Sequence, residues 1–136
     1  MKRNSRLSLA LHTLGHMAAE PERARTSADI AAHAGTNPVV VRRVLGRLRQ
    51  AGLLTSEKGH AGGWQLARAP QEITLADVYL ALDERLIATD SENDAPNCSV
   101  ENALRRRVST VMQDIERNLI ERLAATTIAE VHKAED

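Results

Sequence analysis

The chain has 136 residues, which suits one domain or one small domain with an appended element. Its 18 basic and 18 acidic residues cancel, but they are unevenly distributed. Residues 1–68 contain eleven Lys and Arg against four Asp and Glu, whereas residues 69–136 contain seven against fourteen. This asymmetry predicts a basic half that meets nucleic-acid phosphates and an acidic half with a different role.

The apolar composition limits the possible classes of protein further. With no Phe, one Trp and one Tyr, the core must be built from Leu, Val, Ile and Ala, which favours helices packed on helices. No apolar run approaches the roughly 18 residues of a membrane span, and the N-terminus does not resemble a signal peptide, so we expect a cytoplasmic protein. The single cysteine excludes an internal disulfide and a multi-cysteine metal site within one chain.

Apolar residues repeat at helical spacing over residues 5–19, which predicts a first helix. His12 and His16 lie four residues apart on it, a spacing that two ligands of one metal ion can have. No carboxylate or further histidine lies nearby in the sequence to complete a site. We therefore interpret the pair as ordinary histidines on the flank of a helix, and predict no metal site.

Two further helices are predicted with only a tight turn between them. The sequence TSAD at 26–29 is a capping-box pattern that opens a short helix, and Gly35 ends it. Asn37 is a good N-cap, Pro38 suits the first helical position, and Gly52 supplies the stop. Apolar residues recur at i, i+3, i+4 and i+7 as Val41, Val44, Leu45 and Leu48. This pattern predicts a helix-turn-helix, whose second helix enters the major groove of DNA.

The side of this second helix opposite the apolar residues is mostly polar and basic. It carries Val39, Arg43, Gly46 and Gln50, flanked by Arg42 and Arg47. An arginine-bearing face can simply be solvated, so these residues alone do not decide between solvent and phosphate. The tight turn, the hairpin that follows and the basic bias of this half of the chain favour DNA.

Two short strands are predicted over residues 53–58 and 64–68, joined by a link with three glycines in five positions. Lys58, His60 and Arg68 make this hairpin basic, which suits contact with the DNA backbone or minor groove. A glycine-rich loop can also hold a nucleotide phosphate, but that motif needs a helix after the loop. We expect Trp64 to pin the hairpin to the helices beneath it, with contact to a ligand as the alternative.

The C-terminal half begins with a second capping-box pattern, TLAD at 74–77, which predicts a helix to about residue 83. Residues 84–97 are acidic and rich in turn formers, which predicts a loop. A long helix is predicted from about residue 99 to 124, and Thr127 caps a last short helix. The nearly heptad apolar spacing of the long helix follows Leu104, Val108, Val111, Ile115, Leu119 and Leu123.

So long an apolar row exceeds what this small domain can cover, so we expect a homodimer. The predicted fold is mainly α with a small β-hairpin wing: a winged helix-turn-helix plus a long C-terminal dimerisation helix. We assign residues 1–83 to the DNA-binding domain, 84–97 to the acidic loop, and 98–136 to the dimerisation helix and the short helix after it.

The order of these elements resembles the Rrf2 family of bacterial winged-helix regulators, over nearly the whole chain. The most specific part of the likeness is GLL at 52–54, KGHAGGWQLAR at 58–68 and ITLADV at 73–78. The resemblance implies a homodimer that binds an inverted repeat in double-stranded DNA, with the long helices crossing at the dimer interface.

The resemblance also implies which residues touch DNA. Val39, Arg42 and Arg43 fall where family members touch base edges, and Lys58 falls where the wing reaches the minor groove. An arginine fork matches O6 and N7 of guanine, but the sequence does not choose between Arg42 and Arg43. The remaining candidate DNA-binding residues are Ser27, Asn37, Arg47 and His60.

Cluster-binding members of this family carry three cysteines before the long helix, but this chain has only Cys98 there. Residues 90–94 fill the other two cysteine positions. Glu101 and Ser8 stand where some members have a fourth ligand, so we predict no iron–sulfur cluster and no other cofactor. Cys98 is either an ordinary buried residue or a redox sensor. The redox interpretation rests on its place at the N-terminal end of a helix, which favours the thiolate.

The predicted function is that of a sequence-specific DNA-binding transcriptional regulator, most consistent with a repressor. The alternatives are a winged helix that contacts only proteins, and a regulator of the same fold that responds to a small-molecule ligand. An enzyme is disfavoured, because the sequence has no glycine-flanked serine, no carboxylate pair in an apolar context and no convincing set of metal ligands.

Overall fold

The computed structural model describes residues 6–57, 63–83 and 99–134, with only the backbone described at 132–134. Within these residues lie six helices: α1 (Arg6–Ala19), α2 (Ser27–Ala34), α3 (Pro38–Gln50), α4 (Leu75–Leu82), α5 (Ser99–Ala124) and α6 (Ile128–Ala134). Strands β1 (Leu54–Ser56) and β2 (Trp64–Leu66) lie between α3 and α4, followed by one 3-10 turn at Pro70–Glu72. This order confirms the predicted fold class. No helix in the described ranges is long and apolar enough to cross a membrane.

Caps at the helix ends determine where α2 begins and ends and where α3 begins. The Thr26 side chain accepts a hydrogen bond from the Asp29 backbone N–H at 3.1 Å, and so begins α2. Gly35 ends α2 in the left-handed region with φ 72°, where a side chain would strain the backbone. Asn37 Oδ1 then accepts from the Val40 N–H at 3.0 Å and begins α3. Both predicted caps are confirmed, and the turn between the helices is short.

The apolar side of α3 is covered completely. Val41, Val44, Leu45 and Leu48 are each 0–1% exposed, as the heptad-like spacing predicted. They pack in one core that also contains Leu14, Met17, Leu53, Ile73, Tyr79 and Leu82. Burial of each such side chain stabilises the fold by about 1.5–3 kcal/mol before conformational entropy is counted. This core fixes which side of α3 faces outward.

The wing is a small antiparallel sheet that pairs with a third segment. Thr55 of β1 lies opposite Gln65 of β2, and each strand has three residues, fewer than predicted. Arg25 donates its backbone N–H to the Trp64 carbonyl at 3.1 Å and accepts from the Trp64 N–H at 2.8 Å. The segment just before α2 therefore holds β2 in place through two backbone hydrogen bonds.

The C-terminal helix α6 packs against α1 and belongs to the same core as the winged helix. Ile128 is 1% exposed, and its N–H donates to the Ile73 carbonyl at 3.0 Å. Leu75 donates its N–H to the Thr126 carbonyl at 2.9 Å, which ties the start of α4 to the end of α5. From the sequence we placed α6 in the same segment as the dimerisation helix. Helical periodicity does not show which distant segment covers a short helix. The acidic segment 84–97 lies outside the described residues.

Candidate nucleic-acid interface

The outward side of α3 presents a compact set of residues near the helix N-terminus. Val39 is 57% exposed, and Arg42 and Arg43 are exposed beside it. In the described part of the chain, neither guanidinium has a hydrogen-bond or ion-pair partner. Two arginine forks and one apolar side chain are the groups that bind guanine edges, phosphates and thymine methyls. This face can therefore meet the floor and the walls of a major groove.

The other two arginines of α3 are used within the protein. Arg47 Nη1 donates to the Leu82 carbonyl at 3.3 Å, at the end of α4, and its side chain is partly buried. Arg49 Nη1 donates to Ser56 Oγ at 2.8 Å, with its guanidinium 5.8 Å from the centre of the Trp64 ring. Arg47 was a candidate DNA-binding residue from the sequence; its guanidinium contacts the end of α4, and whether it also touches DNA stays a prediction. Helical periodicity could not detect this contact, because Leu82 lies 35 residues away.

Trp64 connects the wing to the start of α2. The residue is 8% exposed, and its Nε1 donates to Ser27 Oγ at 2.9 Å. The prediction that this aromatic side chain pins the hairpin to the helices is confirmed. Ser27, another candidate DNA contact, accepts this bond with its hydroxyl. Whether Ser27 also touches phosphate stays a prediction.

The base of the wing is held against the connector between α1 and α2. Gln65 Nε2 donates to the Glu22 carbonyl at 3.0 Å. Added to Gly63, a Cβ atom would lie 2.9 Å from the Ala24 Cβ, so the backbone approaches there more closely than any side chain allows. The tip of the wing, including Lys58 and His60, lies outside the described residues, and so does Cys98. Their predicted roles stay predictions.

The structure brings a third histidine to the pair on α1. His33, in the last turn of α2, places its Nε2 atom 2.9 Å from the Nε2 of His16. The sequence interpretation of His12 and His16 assumed that no further ligand was near, and this assumption does not hold in three dimensions. Helix packing makes His33 a neighbour, although 17 residues separate it from His16.

A charged connector lies beside these histidines. Arg23 donates to the Glu20 carboxylate at 3.0 Å, and this bond and the positive charge of Arg23 lower the pKa of Glu20. Arg25 lies 3.6 Å from the same carboxylate and donates to the His16 carbonyl at 3.3 Å. The Glu20 side chain is 53% exposed, so these pairs contribute little to stability in water.

Comparison with known proteins identifies the family. A sequence model of the Rrf2 family, described as "Iron-dependent Transcriptional regulator", matches residues 3–134. A relative from Bacillus subtilis (strain 168), named as HTH-type transcriptional regulator YwnA, is 34% identical over 131 residues. The match covers 94% of this chain and 95% of the relative.

Two solved structures share the fold at lower sequence identity. The structure of CymR, named as the global cysteine regulator of B. subtilis, has a TM-score of 0.68 and 20% identity, covering 100% of this chain and 99% of that one. T. potens IscR has a TM-score of 0.69 and 22% identity, covering 100% of this chain and 89% of that one. The chain thus belongs to the Rrf2 family, and it is a winged-helix DNA-binding transcriptional regulator rather than an enzyme.

Proposed function

We propose that the protein acts in the cytoplasm as a homodimer that binds an inverted repeat in double-stranded DNA and represses transcription there. The exposed face of α3, with Val39, Arg42 and Arg43 opposite a fully buried side, is the observation that carries this proposal. N-terminal residues of a recognition helix contact base edges, and a two-fold dimer matches a palindromic site. A dimer bound over a promoter would exclude the polymerase.

The dimer is supported by the apolar residues of α5. Five large apolar side chains are 49–65% exposed: Val100, Leu104, Val108, Val111 and Ile115. Their spacing of four, four, three and four residues places them on one side of the helix, as in a helix–helix seam. The described part of the chain buries none of the 26 residues of α5. A second copy of the same helix would cover this row.

The test is binding of purified protein to a DNA fragment selected from random sequences, measured by fluorescence anisotropy at several salt concentrations. Each base-reading arginine changed to Gln should cost about 1–3 kcal/mol per half-site and relax preference at one base pair. A phosphate-contacting arginine should weaken binding to every sequence and lower the salt slope by about one per half-site. Comparing Arg42→Gln with Arg43→Gln therefore assigns the two roles.

The matched control is Arg117→Gln on α5. Arg117 is 70% exposed and pairs with Asp114 at 3.4 Å, so the variant removes the same charge from a helix outside the proposed DNA interface. We expect its affinity and salt slope to match the wild type. If both α3 variants bind like this control, the face of α3 does not contact DNA. If the wild type does not bind DNA even at low salt, the alternative of a winged helix that contacts only proteins is favoured.

We also propose that Cys98 is where this regulator receives a redox signal. It precedes Ser99, the first residue of α5, so oxidation there would act on the helix proposed to form the dimer. Peroxide would transfer one oxygen atom to the thiol, giving a sulfenic acid and water. We expect peroxide to release DNA from the wild type and not from Cys98→Ser. Equal release from both proteins would point to another signal, such as a small-molecule ligand.

The chain is proposed to carry no iron–sulfur cluster. One cysteine per chain gives a dimer only two thiolates, whereas such clusters are held by four ligands, usually cysteines. Protein purified anaerobically should lack the visible absorption of a cluster and contain no stoichiometric sulfide. Stoichiometric iron and sulfide, lost in Cys98→Ser, would overturn this proposal.

A further inference from the structure

Three histidines from two helices surround one point on the side of α1 that faces α2. His12 and His16 lie one turn apart on α1, and His33 lies at the end of α2. One potential ligand nitrogen from each of the three lies within 4.8 Å of the other two. The rings of His12 and His33 are stacked, with 5.2 Å between their centres.

We propose that His12, His16 and His33 bind one divalent transition-metal ion of the class that prefers imidazole ligands, which includes Zn²⁺. A histidine pair at i and i+4 presents two ligands on the same side of a helix. Three histidines with a fourth position open for water form an established type of zinc site. No cysteine takes part, so this site differs from the three-cysteine site of the cluster-binding family members.

The distances require only small movements of the rings. Zinc–nitrogen bonds of about 2.0–2.1 Å in a tetrahedron place neighbouring ligand atoms roughly 3.3 Å apart. The His16 and His33 nitrogens, now 2.9 Å apart, would separate by a few tenths of an ångström. The remaining separations, up to 4.8 Å, would shorten. His12 and His33 are exposed, so the packed core does not hold their rings in the present orientation.

The surroundings of the cluster contain buried polar atoms that lack a partner. A cavity of about 40 Å³ lies against the three histidines and is also lined by Thr13, Arg25 and Asp29. Among the described residues, Thr13 Oγ1 and Arg25 Nε are the buried side-chain atoms without a hydrogen bond. Thr13 is 3% exposed, and a hydroxyl so buried usually has a partner. Water on a metal ion in this cavity would provide one.

The charges around the cluster are mixed, so the site can accept a cation. Asp29 lies one turn before His33 on α2 and lines the same cavity. Arg23 and Arg25 also line the cavity and oppose a cation there, but both guanidinium groups pair with the Glu20 carboxylate, at 3.0 Å and 3.6 Å. His12 and His33 are exposed and also line a wider surface cleft of about 810 Å³, so an ion can reach them from solvent.

The position of the site links metal binding to the helix-turn-helix. His33 lies two residues before Gly35, which ends α2, and four before Asn37, the N-cap of α3. An ion held by both helices would tie α1 to the end of α2 and restrain the turn that leads into α3. Binding should therefore slow backbone hydrogen exchange over residues 33–40.

The experiment uses full-length protein without an affinity tag, stripped of metal with a chelator. Zn²⁺ is titrated by calorimetry and Co²⁺ by visible absorption, which reports the coordination geometry. We expect one ion per chain and a rise in melting temperature of roughly 5 to 10 °C at a free Zn²⁺ concentration 100 times Kd. His33→Gln should weaken binding at least about 100-fold, since second-shell changes alone cost about 10- to 100-fold. His12→Gln should do the same.

The matched control changes the other two histidines of the sequence, His60→Gln with His132→Gln, and should keep the affinity, the stoichiometry and the Co²⁺ spectrum of the wild type. Circular dichroism checks that each variant is folded. Absence of saturable Zn²⁺ binding by the folded wild type would overturn the proposal. The proposal would also fail if the control lost Zn²⁺ binding while His33→Gln kept it. It would fail as well if Zn²⁺ slowed backbone hydrogen exchange elsewhere but not over residues 33–40. Each readout is independent of whether the protein binds DNA.

Discussion

Helices α3 and α5 both carry a regular row of apolar residues, but only one of them is covered. Val44 and Leu48 of α3 are 0–1% exposed, whereas Leu104 and Val108 of α5 are 60% and 52% exposed. The α3 row is covered by helices of its own chain, so its opposite side is left for a partner, and that side carries arginines. The α5 row itself faces outward. The same sequence pattern therefore accompanies the proposed DNA contact in one helix and the proposed protein contact in the other.

The C-terminal end of α5 shows where this difference arises. Leu119, Ile120 and Leu123 are partly buried against the core, and Glu116 accepts a hydrogen bond from the Tyr79 hydroxyl at 3.4 Å. The first two-thirds of α5 extend beyond these contacts. The helix is thus anchored to its own chain at one end, and the rest carries the row proposed to meet a second copy.

The largest effect is expected from placing a charge in the exposed row of α5. Val108→Glu would bury an uncompensated carboxylate in each half of the seam, which costs about 3–5 kcal/mol of association free energy. Sedimentation equilibrium should show a dimer for the wild type and a monomer for this variant. Gln113→Glu adds the same charge on the opposite side of α5 and should stay dimeric. A wild-type monomer, or a dimeric Val108→Glu, would disprove the seam.

The next largest effect concerns the covered row of α3. Leu48→Ala removes a fully buried side chain and leaves a cavity, so the free energy of unfolding should fall by about 2–5 kcal/mol. The fluorescence of Trp64, the single tryptophan, reports this unfolding in urea. Val39→Ala, on the exposed side of the same helix, should change stability by no more than about 0.5 kcal/mol. Similar losses in the two variants would mean that α3 has no outward side.

Two glycines differ in how much space surrounds them: Gly63 lies in the tightly packed base of the wing, and Gly46 lies on the open side of α3. Gly63→Ala places a Cβ atom 2.9 Å from the Ala24 Cβ and 3.1 Å from the Arg25 backbone nitrogen, so we expect a loss of about 1–3 kcal/mol. Gly46→Ala on α3 meets nothing within 4 Å and should stabilise the helix by roughly 0.5–1 kcal/mol. Urea unfolding of both variants measures the difference, and equal effects would contradict the close approach at Gly63.

Local signals in the sequence were enough to predict the helices, their caps and their apolar rows. Asn37 and Thr74 were assigned as caps because a cap depends on residues three positions away, and α5 was predicted from its apolar spacing alone. Contacts between distant segments could not be predicted. Arg47 bonding to Leu82, Ile128 entering the core and His33 joining the α1 pair all depend on how helices pack, which periodicity within one helix does not contain.

The smallest expected effect tests whether Ser27 belongs to the covered region or to the DNA-contacting one. Its hydroxyl accepts from Trp64 Nε1 at 2.9 Å, so Ser27→Ala should lower the free energy of unfolding by about 1 kcal/mol. A double-mutant cycle with Trp64→Phe isolates this bond, and we expect a coupling energy of the same size. The affinity for DNA should stay unchanged, because the hydroxyl is already bonded within the protein. A loss of affinity of similar size for every DNA sequence, with no coupling to Trp64, would instead assign Ser27 to a DNA phosphate.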